Sequence, residues 1–190
     1  VSKEGQVEII GWLYQYYISE PKDALISARN KYKTEDIPYV TQLFTTDWIV
    51  RFIVENSLGK LWLDSNPNDV VKEKWVYLLE SNTRKLNEST DKKSPEEIKC
   101  IDPCMGSGHI LVYLFDVLIQ IYESYGYSTR DAVESIVKNN IYGLDIDERA
   151  AQLAYFAIMM KARQYDRRFL SRGIQPKVYA FTDSKKIDKN

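Results

Sequence analysis

The distribution of apolar residues divides the chain into two parts. In the first part, apolar residues recur at helical spacing, and in the second, short apolar runs alternate with longer helical ones. Residues 7–18 are apolar almost all round, a pattern that predicts a buried helix ending before Pro21. We therefore expect Trp12 to be largely buried.

Two further helices are predicted in the first part. One follows the polar triplet 45–47, whose Thr and Asp side chains are of the type that caps free backbone N–H groups. Gly59 suits the end of this helix, and Trp48 is expected to be buried in it. Residues 70–80 predict the second helix, and a polar loop follows it.

After residue 97 the pattern changes to short strands that alternate with helices. Strands are predicted at 98–101, 140–145 and 177–181, and helices at 108–122, from Ser128 or Thr129 onward, and at 148–165. Such alternation is typical of right-handed βαβ units and a parallel sheet. The expected fold class is therefore α/β, with an N-terminal helical region before the sheet.

Composition limits the classes of function. The 190 residues are 44% hydrophobic and 28% charged, as in globular proteins, and no apolar run approaches the roughly 20 residues that span a bilayer. The net charge of −1 indicates that most of any DNA-binding surface lies outside this chain. The charged and polar first residues do not resemble a signal peptide, so we expect a cytoplasmic protein without a membrane partner.

Cysteine and histidine content argues against a metal centre. Cys100, Cys104 and His109 are too few to complete a four-ligand zinc site, and their spacing matches no usual zinc pattern. We expect reduced thiols. His109 is interpreted as a helix-start residue without a chemical role.

The most informative segment is Asp-Pro-Cys-Met-Gly-Ser-Gly at 102–108, between the first predicted strand and its helix. Gly106 and Gly108 permit a tight turn and the close approach of a ligand to the backbone. Ligands of open parallel sheets bind at the carboxyl ends of the strands, where this loop lies. Asp145 ends the next predicted strand, where a carboxylate can accept hydrogen bonds from two ribose hydroxyls. The pattern therefore predicts a nucleoside-containing cofactor.

The glycine pattern favours S-adenosylmethionine over NAD. The dinucleotide fingerprint has a third glycine, and an acid about 20 residues later. Leu111 stands at the third glycine position, and Asp145 comes much later than the fingerprint requires. Asp102 would repel a pyrophosphate but attract the ammonium of a methionine moiety.

These residues resemble the motifs of amino-methylating DNA methyltransferases. The 102–108 segment is similar to their first cofactor motif, Tyr-Gly-Leu-Asp-Ile-Asp at 142–147 to the second, and Gln-Leu-Phe-Thr-Thr-Asp at 42–47 to their N-terminal Phe/Tyr-Thr-Pro motif. The order of the three motifs matches the subgroup that methylates adenine N6. Residues 8–17 resemble the large adenine-specific methyltransferase of BREX phage-defence systems, a relative of combined restriction-methylation enzymes.

The resemblance implies site residues by position. Thr45 would contact the methionine carboxylate, and Asp102 with the loop backbone would hold the rest of the methionine moiety. Asp145 would accept the ribose hydroxyls, Ile146 would pack on the cofactor adenine, and Asp183 would accept a hydrogen bond from the adenine amine. The expected binding set is Thr45, Asp102, Cys104, Gly106, Gly108, Asp145, Ile146 and Asp183.

The sequence departs from the family pattern at two places. Thr46 stands where the family has proline, and the catalytic Asn/Asp-Pro-Pro-Tyr/Phe motif, which binds the flipped adenine, is absent. We therefore assign no catalytic residue and expect part of a longer enzyme. Residues 1–94 would form an N-terminal helical region with the Phe-Thr-Thr motif, and residues 95–190 the first half of a Rossmann-like methyltransferase domain.

The expected parent reaction is methyl transfer from S-adenosylmethionine to adenine N6 in DNA, within a restriction-modification or phage-defence system. DNA would be bound mainly by other parts of the enzyme, and this portion alone would be inactive. A nucleotide-dependent oxidoreductase and a non-catalytic interaction module with the same fold are the alternatives. An open edge along the first strand would also lead to self-association, or to covering of that edge by a terminal segment.

Overall fold

A computed structural model of the protein describes residues 8–28, 31–33, 36–42, 44–79 and 93–181. The helices in these ranges are α1 (Glu8–Ala28), α2 (Ile37–Thr41), α3 (Asp47–Val54), α4 (Lys60–Ser65), α5 (His109–Ser124), α6 (Thr129–Ser135) and α7 (Glu148–Tyr165). The strands are β1 (Cys100–Asp102), β2 (Ile141–Asp145) and β3 (Lys177–Ala180). Within the described ranges, no helix has both the length and the apolar character needed to cross a membrane.

The strands form a parallel sheet in the order β1-β2-β3. Cys100 is paired with Ile141, and Tyr142 with Lys177. This arrangement confirms the α/β class and the parallel sheet, while a complete Rossmann-like sheet stays a prediction. Because the strands are parallel, Asp102 and Asp145 come to the same edge of the sheet, at the carboxyl ends of β1 and β2.

Helix α5 forms the centre of the hydrophobic core. It packs between the sheet, α6 and α7, and Leu111, Phe115 and Ile121 are fully enclosed. Four apolar residues after Ser128 are also fully buried, namely Ala132, Val133, Ile136 and Val137. Residues on both sides of the predicted domain boundary at 94 share this core, since Trp62 and Trp75 belong to it. The boundary itself stays a prediction.

The prediction that Gly59 ends its helix is wrong. Helix α3 continues through a π-helical turn, Glu55–Gly59, directly into α4, and Gly59 has ordinary helical dihedral angles. A side chain at this position would begin 3.0 Å from the ring of Trp75. Glycine is therefore suited to this site because it leaves room for a buried indole.

The predicted helix over 70–80 is largely replaced by irregular backbone. Within its described part, residues 70–79, only a short 3₁₀ helix forms, Val70–Lys74. Buried Glu55 provides the physical reason, since its carboxylate accepts the backbone N–H of Tyr77 at 2.6 Å. A buried carboxylate requires hydrogen-bond donors, and this tertiary bond takes an N–H group that a helix would use internally.

The first helix differs from its prediction in length and in burial. Helix α1 does not end before Pro21 but includes it, because an internal proline removes one helical hydrogen bond without necessarily ending the helix. The predicted burial of Trp12 is wrong, because 59% of this residue is exposed. Trp48 on α3 is 56% exposed, which is also contrary to prediction. Both indoles lie on helix faces that no described element encloses.

Candidate functional site

The loop between β1 and α5 is shaped by its two glycines. Gly106 and Gly108 have φ angles of +53° and +90°, which L side chains rarely adopt. A Cβ at Gly108 would also lie only 3.0 Å from the Cβ of Ala154 on α7. The Met105 N–H donates to the Leu144 carbonyl at 3.0 Å. This bond holds the loop against the end of β2.

Asp145 joins the loop to the second strand. Its Oδ2 accepts the Gly106 N–H at 2.8 Å, and its Oδ1 accepts the Asp147 N–H at 2.8 Å. Each carboxylate oxygen can accept more than one hydrogen bond. Asp145 therefore orders the loop and retains lone pairs for a ligand.

Asp102 differs from Asp145 because one of its carboxylate oxygens has no hydrogen-bond partner among the described residues. Its Oδ1 accepts the Cys104 N–H at 3.1 Å, whereas its Oδ2 is buried without a hydrogen bond among the described residues. Burial raises the pKa of the Asp102 carboxyl, and the nearby charge of Asp145 raises it further. A buried acceptor in this state favours a cationic or N–H-bearing ligand and disfavours an anion. The site therefore fits the ammonium group of a methionine moiety.

Thr45 lines a pocket of about 250 Å³ between α1, the segment before α3 and the start of α5. The helix predicted after the polar triplet is confirmed, and it begins at Asp47, although the Thr46 side chain makes no capping bond. The pocket also contains His109, the first residue of α5. The structure thus brings Thr45 next to the helix that follows the glycine loop.

The other predicted site residues occupy different positions around the loop. The Cys104 side chain is exposed, and its backbone N–H is the group that contacts Asp102. Ile146 is 58% exposed directly after Asp145, so its apolar surface is available at the site. Asp183 lies outside the described residues.

A contact from α1 reaches the site and was not predicted. The Tyr14 hydroxyl donates to Asp147 Oδ2 at 2.5 Å, and the Asp147 Oδ1 caps α7 by accepting the Arg149 N–H at 3.0 Å. Asp147 is therefore the N-cap residue of α7. The only sequence signal for Tyr14 was that a buried tyrosine needs a partner for its hydroxyl. Burial, followed by the bond to Asp147, raises the pKa of Tyr14 well above its usual range.

Comparison with known proteins gives no matching family model. The chain is 50% identical over 191 residues to adenine-specific methyltransferase PglX of Lacticaseibacillus casei (strain Zhang), covering 94% of this chain and 16% of that protein. It is 49% identical over 187 residues to adenine-specific methyltransferase BrxX of Escherichia coli O9:H4 (strain HS), covering 95% and 15%. A putative type II restriction enzyme and methyltransferase of Methanocaldococcus jannaschii is 35% identical over 65 residues, or 31% of this chain and 6% of that protein.

Two features of these matches are informative. The chain spans about a sixth of the length of these PglX and BrxX proteins. The matches nevertheless cover nearly all of this chain, so they include both the N-terminal helices and the α/β part with the glycine loop. The chain is therefore homologous, over nearly its whole length, to part of the adenine-specific methyltransferases PglX and BrxX.

Proposed function

We propose that the chain forms the S-adenosylmethionine-binding portion of an enzyme that methylates adenine N6 in DNA. The observation that carries this proposal is the buried Oδ2 of Asp102, which has no partner within the described part of the chain and lies at the glycine loop. A ligand ammonium would satisfy this oxygen and offset the repulsion from Asp145. The names of the relatives support methyl transfer and the choice of adenine.

Each residue then has a defined part in binding. Asp102 accepts from the cofactor ammonium, and Asp145 accepts the ribose hydroxyls through the lone pairs that Gly106 and Asp147 leave available. Ile146 offers an apolar surface for the adenine ring. Asp183, from the sequence resemblance, is proposed to accept the adenine amine.

The backbone of the 102–108 loop completes the proposed binding site. Gly106 leaves open space where any other residue would place a side chain, because no atom lies within 4 Å of its virtual Cβ. Gly108 precedes α5, whose first N–H groups favour an anionic group. When bound, the cofactor supplies a methyl group on a positively charged sulfur, activated for transfer to a nitrogen.

The remaining functions are assigned to the rest of the full-length protein. No Asn/Asp-Pro-Pro-Tyr/Phe segment occurs in this sequence, so we propose that groups elsewhere hold the flipped adenine. The charge of −1 fits a portion that contributes little to binding DNA phosphates. Labelled S-adenosylmethionine with adenine-containing DNA should show transfer by the full-length protein and none by the 190-residue chain. Transfer by the chain alone, lost on Asp145→Ala, would contradict this division.

Calorimetry on the full-length protein tests the cofactor directly. S-adenosylmethionine should bind and NAD should not. Asp145→Ala should weaken binding about 10- to 100-fold, since a hydrogen bond to a charged acceptor contributes roughly 1.5–3 kcal/mol. Asp131→Ala, which removes an exposed acid from the first turn of α6, is the matched control and should leave affinity unchanged. Unchanged affinity in a folded Asp145→Ala variant would exclude Asp145 from the site.

A further inference from the structure

We propose that His109 is a cofactor-binding residue whose imidazole, together with Thr45, holds the carboxylate of the bound S-adenosylmethionine. Gly11 of α1 closes this carboxylate subsite. The inference rests on the proposed function and adds a residue that the sequence motifs do not assign. It also makes α1 part of the binding site.

The position of His109 is the first argument. It is the first residue of α5, and it lines the same pocket of about 250 Å³ as Thr45. The first N–H groups of a 16-residue helix such as α5 create a positive potential that favours an anion. An imidazole and a threonine hydroxyl add two side-chain donors at the same helix end.

A buried hydroxyl provides the second argument. Ser107 is 6% exposed, and its Oγ has no hydrogen-bond partner within the described part of the chain. A Cβ at Gly11 would lie 2.3 Å from His109 Nε2 and 3.1 Å from Ser107 Oγ. The α1 backbone, the hydroxyl and the imidazole therefore meet at one point. Since buried polar groups are nearly always hydrogen-bonded, this hydroxyl requires a partner, and a ligand carboxylate could accept its proton.

The acidic groups near the pocket are engaged elsewhere. Asp47 lines the pocket, but its Oδ2 accepts Arg51 Nε at 2.8 Å, which offsets its charge. Tyr113 also lines the pocket and donates its hydroxyl to Glu55 at 2.6 Å. The pocket can therefore accept a carboxylate without facing an uncompensated acid from α3.

The experiment compares two ligands that differ by one carboxylate. Decarboxylated S-adenosylmethionine keeps the ammonium and the sulfonium, so it tests the subsite alone. In calorimetry with the full-length protein, His109→Ala should weaken S-adenosylmethionine binding by about tenfold or more, the effect of losing one charge-assisted hydrogen bond. His109→Ala should change the affinity for the decarboxylated ligand by less than about twofold, because that ligand has no carboxylate for His109 to hold. Asp102→Asn should weaken the binding of both ligands, because both carry the ammonium group.

A double-variant cycle tests the role of Gly11. Gly11→Ala places a methyl group against the His109 ring, which must rotate away. This change should therefore weaken the binding of S-adenosylmethionine more than that of the decarboxylated ligand. In the His109→Ala background the same change should have little further effect, because the ring is absent. Such non-additivity is the signature of two residues in contact. Melting temperatures of all variants establish that they are folded.

The outcomes separate the two proposals. If neither ligand binds the wild-type protein, the proposed function fails, and the subsite fails with it. If both bind, and folded His109→Ala weakens them equally or not at all, the cofactor assignment stands and the carboxylate subsite is wrong. His109→Asn, which retains an N–H donor, should recover part of the selectivity if the donor is what matters.

Discussion

Helices α1 and α5 both carry many large apolar residues, but their surroundings differ. Helix α5 has nine buried residues and is covered by the sheet, α6, α7 and the segment around the π-helical turn. Helix α1 packs on α7 through Tyr14 and Ile18, which cluster with Ala150. Several of its other large residues are exposed, namely Trp12, Leu13, Tyr16, Tyr17 and Ile26.

The difference shows that apolar composition does not determine how many neighbours a helix has. The α5 sequence lies within βαβ units, where the sheet and the adjacent helices supply surfaces on several sides. Helix α1 precedes the sheet and contacts α2 and α7, and the hydrogen bond from Tyr14 to Asp147 fastens it to α7. An exposed aromatic surface of this kind is typical of a contact region.

Removing a ring from α5 should give the largest effect on stability. Phe115 is fully buried and stacks with Tyr165, with 5.9 Å between the ring centroids. Phe115→Ala should lower the free energy of unfolding by about 3–5 kcal/mol because it leaves a cavity in the core. Urea denaturation measures this change. A loss below about 1 kcal/mol would show that α5 is far less enclosed than described.

A smaller effect is expected where α1 is fastened to α7. Tyr14→Phe removes the hydroxyl bonded to buried Asp147 and should cost about 1–2 kcal/mol, since an acceptor loses its partner. Hydrogen exchange should become faster in α1 while α5 is unaffected. Tyr16→Phe is the matched control on the same helix, because Tyr16 is 83% exposed and should tolerate the change. Equal exchange rates in the two variants would show that the bond does not hold α1.

Burial also affects the ionisation of a carboxyl group, and at Asp102 this effect can be measured through the pH dependence of stability. Burial raises the pKa of this carboxyl in the folded state above its ordinary value of 3.8. The folded state therefore binds the proton more tightly than the unfolded state, and stability is lost as pH rises through and above 3.8. Asp102→Asn should raise the melting temperature of the ligand-free protein at pH 7, and the gain should shrink toward pH 4. A gain independent of pH would assign the effect to another cause.

The smallest effect is expected at the exposed face of α1. Trp12 is 59% exposed, so Trp12→Ala should change the free energy of unfolding by less than about 0.5 kcal/mol. Thermal melts of the variant and the wild-type chain under the same conditions measure this change. A loss of about 3–5 kcal/mol, the range for a core tryptophan, would show that another surface encloses α1 and would remove the contrast with α5.

Sequence patterns predicted the α/β part closely because its signals are local. The helix predicted at 148–165 is α7, Glu148–Tyr165, and the three predicted strands lie within a few residues of β1, β2 and β3. Strand and helix periods depend on residues a few positions apart. The glycine loop was also recognisable, because its positive φ angles favour the residue type that stands there.

Predictions that depended on distant partners were wrong or incomplete. The segment after residue 70 was expected to be helical, but buried Glu55 binds its backbone. Gly59 was expected to end a helix, but it makes room for Trp75 instead. In both cases a contact between residues far apart in the chain competes with a local preference and prevails.

The amino-acid sequence thus specifies the strands, the main helices of the sheet and the residue types of the glycine loop. Their local backbone conformations follow from side-chain branching, periodicity and glycine content. Tertiary packing specifies which acid remains unpartnered, which helix faces stay exposed and that His109 lies beside Thr45. These properties depend on atoms brought together from distant parts of the chain, and no local pattern encodes which surfaces will meet.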